Sequence, residues 1–595
     1  MLKKVFFTSI FGTATLIALV ILLLPTPSTQ ANGASSELNE YDLVIQNATV
    51  FINGKYQDDL DVAIKDGHIA ELANNLDASA ATTLDGRNKV LVPGLVDAHT
   101  HSFANALQEA INFGVTTHFD MFSPSSELSD NRLAREDINN MATDLFSAGM
   151  LATVEGGHGT QFGVGVDTVD NQSEVKAWVE QRKNEGSDYI KLVYMPNSVR
   201  LNSLDLETSK AIIDAAHDQD LLAVAHISSQ SGANDMLKAG IDGLVHQFAD
   251  SLAKKEFIDL AKASNIFIVP TLSVIASVTG QGDGTAVAAM PTVAPFLSST
   301  GKAQLQSASA HGPIPGFDID LALTNTRLMH EAGITILAGS DAANPGTAWG
   351  ISLHQEMVWL NRAGLTPEEV LQSASELVFE AFGISSQGKI AVGHRANLLL
   401  LNRPVSTSIE STLDIKTIIK NGVITQRIKP ESQAGTNAEK ISTTNLSNFE
   451  HSLNGPRGFT WNKTDDSIVN GKSQSRISTS DNGLNIYANV KPGFAFPWSG
   501  ASISSQSPIN INEMEEIEFE VSGTPGSYRL MIFSDVQTGI PPTQTFQVDN
   551  DVSTIRLKLS DFQNAPLDRI TGFAWLAGPG IGEFSFTLDD VKLRK

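Results

Sequence analysis

Hydrophobic and polar positions change their rhythm several times along this chain. From residue 41 to residue 90, YDLVIQNATVFING and DVAIKDGHIAEL alternate apolar and polar side chains between Gly and Asn turns, the two-residue period of antiparallel strands. Between residues 91 and 383 short apolar runs take turns with helix-period segments: VLVPGLVDAHTH, VTTHFDM, MLATVEGG, YIKLVY, LLAVAHIS, GLVHQF, FIVPTLS and ITILAGSDA. Eight such runs, each followed by a helix-capable stretch, predict an α/β fold, a (β/α)8 TIM barrel. The alternative is an open doubly wound sheet. Strand signals return in RANLLLLN and TIIKNGVI, so residues 41–90 and 384–428 are expected to form one small β-sandwich built from both flanks of the barrel. Residues 429–445 are polar and aperiodic, a linker. From residue 446 to residue 595, IEFEVSG, YRLMIFS and TIRLKLSDF between Gly and Pro turns predict an all-β jelly roll.

The chain has 595 residues, enough for several domains. Its 66 acidic and 41 basic residues leave a net charge of −25, with no Lys/Arg cluster, so nucleic acid is excluded as a partner. Cysteine is absent, which rules out disulfides, thiolate ligands and a lipoprotein anchor, so any metal must be held by His, Asp, Glu or a modified Lys. At the N-terminus a basic MLKK, a long apolar run and the small-residue exit PTPSTQANG read as a signal peptide over residues 1–31, cleaved near Ala31. The competing reading is an uncleaved membrane anchor. Both place the body of the protein outside the cytoplasm, in the periplasm or secreted.

The candidate chemistry sits at the C-terminal ends of the barrel strands. His99 and His101 are two residues apart on a strand and face the same way, into the barrel mouth. Lys191 lies in a run expected to be buried, where a lysine is costly unless neutral, paired or modified. A free amine there can react with CO2, and the carbamate offers two anionic oxygens to two metals. The other reading is a salt-bridged barrel lysine. His226 closes LLAVAH and His246 closes GLVH, both suited to Zn²⁺. Asp341 ends ITILAGSD, as a ligand or as a helix N-cap. His158 in EGGHGTQFG is either a substrate or oxyanion contact or a loop-structuring histidine; Tyr194 either donates to substrate or is packed. His311, His330 and His354 read as structural or solvated. Residues 274–318, rich in Gly, Ala, Ser and Thr, read as a specificity-setting lid or as mobile filler, and suit an apolar, modest-sized substrate.

PGLVDAHTH, GVTT at 114–117, the strand-four lysine, the two later histidines and GSDA together resemble the amidohydrolase superfamily, in its imidazolonepropionase-like and prolidase-like branch. SLHQEMVWLNRAGLTPEEVLQSASELVFEAFGI and GKIAVGHRANLLLL extend the likeness over roughly residues 41–425. The resemblance implies two divalent ions, usually zinc: one on His99 and His101, the other on His226 and His246, carbamylated Lys191 between them, and Asp341 as ligand and base. Two positions depart from that pattern. His118 stands in TTHFD where the branch often has Arg, and His394 and Asn397 replace Lys and Asp in the returning strand. The implied reaction is hydrolysis of a C–N bond in a small amide or dipeptide-like substrate. A cyclic amide, a lactone or a phosphotriester would fit the same centre, and a non-catalytic binding scaffold is the alternative of another class.

The C-terminal stretch, with WNKTDDSIVNGKSQSRIS, FAFPWSGAS and GEFSFTLDDVKL, resembles the complex I intermediate-associated protein family, a galactose-binding-like jelly roll. That implies a non-catalytic domain making a glycan or protein contact. Trp461, Trp498 and Trp575 are either sugar-stacking platforms or core, and Asp589 and Asp590 are a weak Ca²⁺ candidate. A homo-oligomer remains open.

Overall fold

The computed structural model describes residues 40–595 apart from 124, 126–127, 161–165, 200, 308–315, 430–438, 441–444, 448, 450–458, 467–471, 481–482, 493–496, 535–540 and 563–564. The expected signal peptide, His311 and most of the expected linker lie outside the described residues.

The first elements are β1 (Tyr41–Ile52), β2 (Lys55–Lys65), β3 (His68–Ala73), β4 (Ala80–Asp85) and β5 (Val90–Pro93). They share one eight-stranded sheet with the last strands before residue 426, β14 (Leu398–Leu401), β15 (Ile415–Lys420) and β16 (Val423–Thr425). The sheet runs β16-β15-β14-β5-β1-β2-β3, with β4 beside β1. It is hydrogen-bonded as a single sheet drawn from both flanks. Period-two alternation divides its side chains: Leu91, Leu398 and Leu400 join a core with Ile45 and Val62, whereas Val90, Val92 and Leu399 face the α/β domain.

Gly94 ends β5, and the chain restarts as β6 (Leu95–Thr100) in a different sheet, so the single run expected at 90–101 is two strands. The α/β domain continues through α1 (Ala106–Ile111), β7 (Val115–Asp120), α2 (Leu128–Glu136), β8 (Asp144–Ser147), α3 (Val175–Glu185), β9 (Ile190–Val193), α4 (Leu206–His217), β10 (Ala223–His226), α5 (Gln230–Ala239), β11 (Gly243–Val245), α6 (Lys255–Ala263), β12 (Phe267–Val269), α7 (Leu272–Val278), α8 (Gly284–Ala288), α9 (Ser299–Gln306), α10 (Ile319–Glu331), β13 (Thr335–Ile336), α11 (Ile351–Arg362), α12 (Pro367–Ser373) and α13 (Glu376–Ala381). Strands β6-β7-β8 form one parallel sheet and β9 to β13 another. Parallel bridges Ala152↔Leu192 and Thr100↔Ala342 join the sheets at both seams. One buried cluster draws on all eight strands or their immediate flanks: Val96, Phe119, Phe146, Tyr189, Val224, Val245, Val269 and Leu337. Phe379 and the half-buried Phe382 pack against it.

Strand three corrects the expectation. The sequence places it in MLATVEGG, but the strand is Asp144–Ser147, and residues 150–153 follow it as buried chain bridged at Ala152 to β9. The segment expected as a lid contains α7, α8 and α9, and Val287, Ala288, Val293 and Leu305 pack with Phe113, Ala348 and Ile351. Ser277 Oγ donates to Pro345 O at 2.6 Å and Gly346 N to Gln304 O at 3.0 Å, which fastens the segment to the chain after β13.

Residues beyond 445 form two mainly antiparallel sheets over one core. One contains Ser499–Asn510, Ile570–Ala577, Gly526–Ser534 and Thr543–Val548; the other contains Gln474–Ser480, Gly483–Val490, Gly582–Arg594, Glu516–Gly523 and Ser553–Lys558. Trp461 and Trp575 lie in that core, their rings 5.1 Å apart, so they fill the domain and offer no exposed platform. Trp498 is half-buried. Asp590 pairs with Lys592, and among the described residues no metal-capable cluster includes Asp589 or Asp590. Among the described residues no helix is long and apolar enough to cross a membrane.

Candidate metal centre

Strand alternation delivers the first ligand candidates. Ile190 and Leu192 face the helices, which leaves Lys191 on the side of Tyr189; Ala223 and Ala225 do the same for His226, on the side of Val224. His246 breaks the rule. It follows inward-facing Val245 and by alternation would point outward, but its φ of 34° turns it, and its ring lies 4.4 Å from His226. Asp341, at φ 54°, and Thr271, at φ 53°, are also left-handed. Each such non-glycine residue costs on the order of 1–3 kcal/mol, and strain of this kind gathers at functional sites. Gly339 is needed for close approach: a Cβ there would stand 2.8 Å from His99 N and 2.4 Å from Val269 Cγ1.

These side chains converge. His99 Nε2 is 3.4 Å and His101 Nε2 3.1 Å from Asp341 Oδ1, and His246 Nδ1 is 3.7 Å from Asp341 Oδ2. His246 Nε2 is 2.9 Å from His226 Nδ1. One ligand atom each from His99, His246 and Asp341 fits within 4.8 Å. Both nitrogens of buried His99 and Oδ1 of Asp341 have no hydrogen-bond partner among the described residues. Buried polar atoms are almost always satisfied, and the unsatisfied His99 Nε2 facing the unsatisfied Asp341 Oδ1 at 3.4 Å fits a cation.

The electrostatics suit that role. Burial, reinforced by Lys191, keeps the His99 imidazole well below its ordinary value; burial and His246 do the same for His226. Burial takes His246 down to about 3. Neutral imidazoles are the ligating form. Burial pulls the Lys191 ammonium down to about 7 against the attraction of Asp341 and Asp120. Its amine makes no hydrogen bond among the described residues. Burial alone would raise the Asp341 carboxyl, but His101, His246 and Lys191 outweigh it and hold it below the usual carboxylate value.

Of the residues expected from sequence, His99, His101, Lys191, His226, His246 and Asp341 therefore share one cluster. His158 joins it, its ring 4.7 Å from His226, and burial takes it to about 4. The Tyr194 hydroxyl donates to Asp235 Oδ2 on α5 at 3.1 Å, the packed alternative of the two readings. His118 lies buried beside the mouth, Nδ1 2.9 Å from Ser102 Oγ. His354 is structural, bridging Thr412 Oγ1 and Phe113 O at 2.8 Å each.

Sequence reasoning passed over several supporting residues. Asp97 accepts from Ser340 N at 2.9 Å and Ser340 Oγ at 2.5 Å, tying the strand of His99 to the turn of Asp341. Asp97 in DAHTH shares the parity of His99, which was the available signal. Asp120 accepts from Ser102 N, Ser123 Oγ and Ser147 Oγ, joining the ends of the first three strands.

Residues 171–425 match the amidohydrolase family. The chain is similar to ochratoxinase of Aspergillus niger, 23% identical over 377 residues that cover 53% of this chain and 70% of that protein. Among solved structures it is similar to a Xaa-Pro dipeptidase with bound methionine in its active site, at TM-score 0.51 and 21% identity over 64% of this chain and 99% of that one. The crystal structure of the A. niger ochratoxinase also matches, at TM-score 0.51 and 20% identity over 64% of this chain and 95% of that one. These structural likenesses carry the fold alone.

Proposed function

We propose that the protein is an exported, metal-dependent amidohydrolase that cleaves a C–N bond in a small amide or dipeptide-like molecule. The eight parallel strands are read as a closed (β/α)8 barrel over residues 91–383, flanked by the composite β domain of residues 41–90 and 384–428. The domain of residues 446–595 is read as a non-catalytic module for glycan or protein contact. Export rests on the N-terminal MLKK, apolar run and TQA exit. The substrate class is proposed from the likeness to proteins named ochratoxinase and Xaa-Pro dipeptidase, the second a likeness of fold alone. The observation that carries the reading is the convergence of His99, His101, His226, His246 and Asp341, with the buried His99 nitrogens and Asp341 Oδ1 left without a hydrogen-bond partner among the described residues.

His99 and His101 would hold one zinc ion and His226 and His246 a second, with Lys191 bridging as a carbamate. When bound, the ions would supply an acidified water and polarise the scissile carbonyl. Lys191, near neutrality, has the free amine that carbamate formation needs. Asp341 ligates, accepts the proton of the attacking water and delivers it to the leaving nitrogen, which departs poorly unless protonated. His158, its ring 4.7 Å from that of His226, would donate to the oxyanion. Tyr194, committed to Asp235, fixes α5 against the strand end.

Metal analysis of protein reconstituted with zinc and bicarbonate, followed by a screen of N-acyl amino acids, Xaa-Pro dipeptides and cyclic imides, tests the reading. About two zinc per chain is expected, with turnover of at least one amide class. A chain that takes up no metal under those conditions is a scaffold, and the proposal is overturned.

A further inference from the structure

Pro270, Thr271 and Leu272 connect β12 to α7 beside His246, and the contacts there have a purpose that packing alone does not supply. Gln247 N donates to Pro270 O at 3.0 Å, so this segment is tied to the residue after His246. Thr271 is fully buried at φ 53°, ψ 46°. A β-branched residue is uncomfortable in that region, where Gly or Asn would sit without strain. Its hydroxyl explains its presence: Oγ1 is 2.7 Å from His246 Nδ1. The turn is held from the far side by Glu356 of α11, also fully buried, whose carboxylate accepts from Leu272 N at 3.0 Å, Ser273 N at 2.7 Å and Ser273 Oγ at 2.9 Å. Glu356 thus holds the start of α7 in the one conformation that presents the Thr271 hydroxyl to the imidazole.

Resting on the metal-centre reading, we propose that Thr271, held in its left-handed conformation by Glu356, positions His246 for metal by accepting a hydrogen bond from its Nδ1–H, leaving Nε2 as a bare lone pair. The other ring atom fits this tautomer, since an unprotonated Nε2 can accept from His226 Nδ1, 2.9 Å away. The partner on the remote nitrogen of a ligating histidine fixes both tautomer and ring orientation, and its loss typically lowers metal affinity about 10–100-fold. Thr271 and Glu356 touch neither substrate nor ion; they act through His246.

The test uses the full chain with Thr271→Val, Thr271→Ser and Glu356→Gln. Zinc affinity is read by competition with a chelator. The His246 tautomer is read from imidazole ¹⁵N shifts in the metal-free protein, assigned against His246→Gln. Thr271→Val is expected to weaken zinc about tenfold or more and to lose the Nδ1–H signature, whereas Thr271→Ser stays near wild type. Glu356→Gln, with the hydroxyl intact but its support weakened, moves both readouts in the same direction by less, and decides the matter if Thr271→Val does not fold. Wild-type affinity and tautomer in both Thr271→Val and Glu356→Gln overturn the proposal, as does a Thr271→Ser as defective as Thr271→Val. Failure of the hydrolase reading looks different. Wild-type protein then binds no zinc at all, and the tautomer in the metal-free protein still decides the role of Thr271.

Discussion

Lys191 and Lys420 are both sealed inside the protein, 3% and 0% exposed, and their surroundings are opposite. The Lys420 ammonium donates to Asp144 Oδ1 at 2.9 Å and to Asn421 Oδ1 at 3.1 Å, and Arg395 reaches the other oxygen of Asp144 at 3.4 Å. Nearby, Arg135 is held by Asp188 at 3.0 Å through each guanidinium nitrogen. Every charge in that group has a counter-charge. Lys191 has imidazoles and the carboxylates of Asp341 and Asp120 around it, no hydrogen bond among the described residues, and an ammonium pulled to about 7 by burial. A paired buried charge is a structural element whose loss leaves its partner stranded. A buried amine with no hydrogen-bonded partner points to a ligand or a modification.

The largest expected effect lies on the unpaired side. Asp341→Asn keeps the metal and lowers kcat by about 10²–10⁴-fold; full turnover in a variant with verified metal content would remove its proton-transfer role. Next comes a crossed pair. Lys420→Met should cost about 3–5 kcal/mol in a denaturant titration and leave zinc content unchanged. Lys191→Met should lose at least one zinc and leave stability equal or higher; the reverse assignment of these two losses would collapse the contrast. His354→Gln probes a satisfied histidine. Burial holds that ring at about 4 in the folded protein against 6.5 in the unfolded chain. Between those values the unfolded chain binds the extra proton, so the stabilising share of His354 is complete above pH 6.5 and shrinks as pH falls. The stability advantage of wild type over His354→Gln should therefore drop by about 2.5 kcal/mol between pH 7.5 and about pH 4.5. Comparing the two proteins cancels Asp97 and Glu356, whose buried carboxyls, raised to about 7, act in the opposite sense. The smallest effect is Tyr194→Phe, expected to change kcat/KM by less than about threefold, because the hydroxyl lost is bound to Asp235 rather than substrate.

The same contrast explains what could be read from the residues in order. The cage was legible because its members announce themselves locally: His99 and His101 by a two-residue spacing, Lys191 by its place in an apolar run, His226, His246 and Asp341 by closing apolar runs. Strand three was misplaced for a physical reason. Asp144–Ser147 opens on a charge, and that charge is tolerable in a buried strand because Lys420 and Arg395 arrive from much later in the chain. The stretch of residues 150–153 is the more apolar because it is buried against β9 after the strand has ended. Thr271 and Glu356 were invisible for a related reason. Their meaning lies in contacts 25 residues apart in the chain for Thr271 with His246 and 83 for Glu356 with Ser273, which no spacing rule reaches. The tryptophans of the C-terminal domain illustrate the converse, since an aromatic side chain reads alike in a core and on a binding surface.

The pairing of β5 with β14 sets a timetable for making this protein. Pro93 finds Leu398 only after roughly three hundred further residues have left the ribosome. Until then the edge of β5 that awaits β14 carries unsatisfied backbone donors and acceptors beside the oily Val90–Val92, a surface prone to sticking to other nascent chains. The protein's yield in a cell should thus depend on how well that early edge is shielded while the rest of the chain is being built.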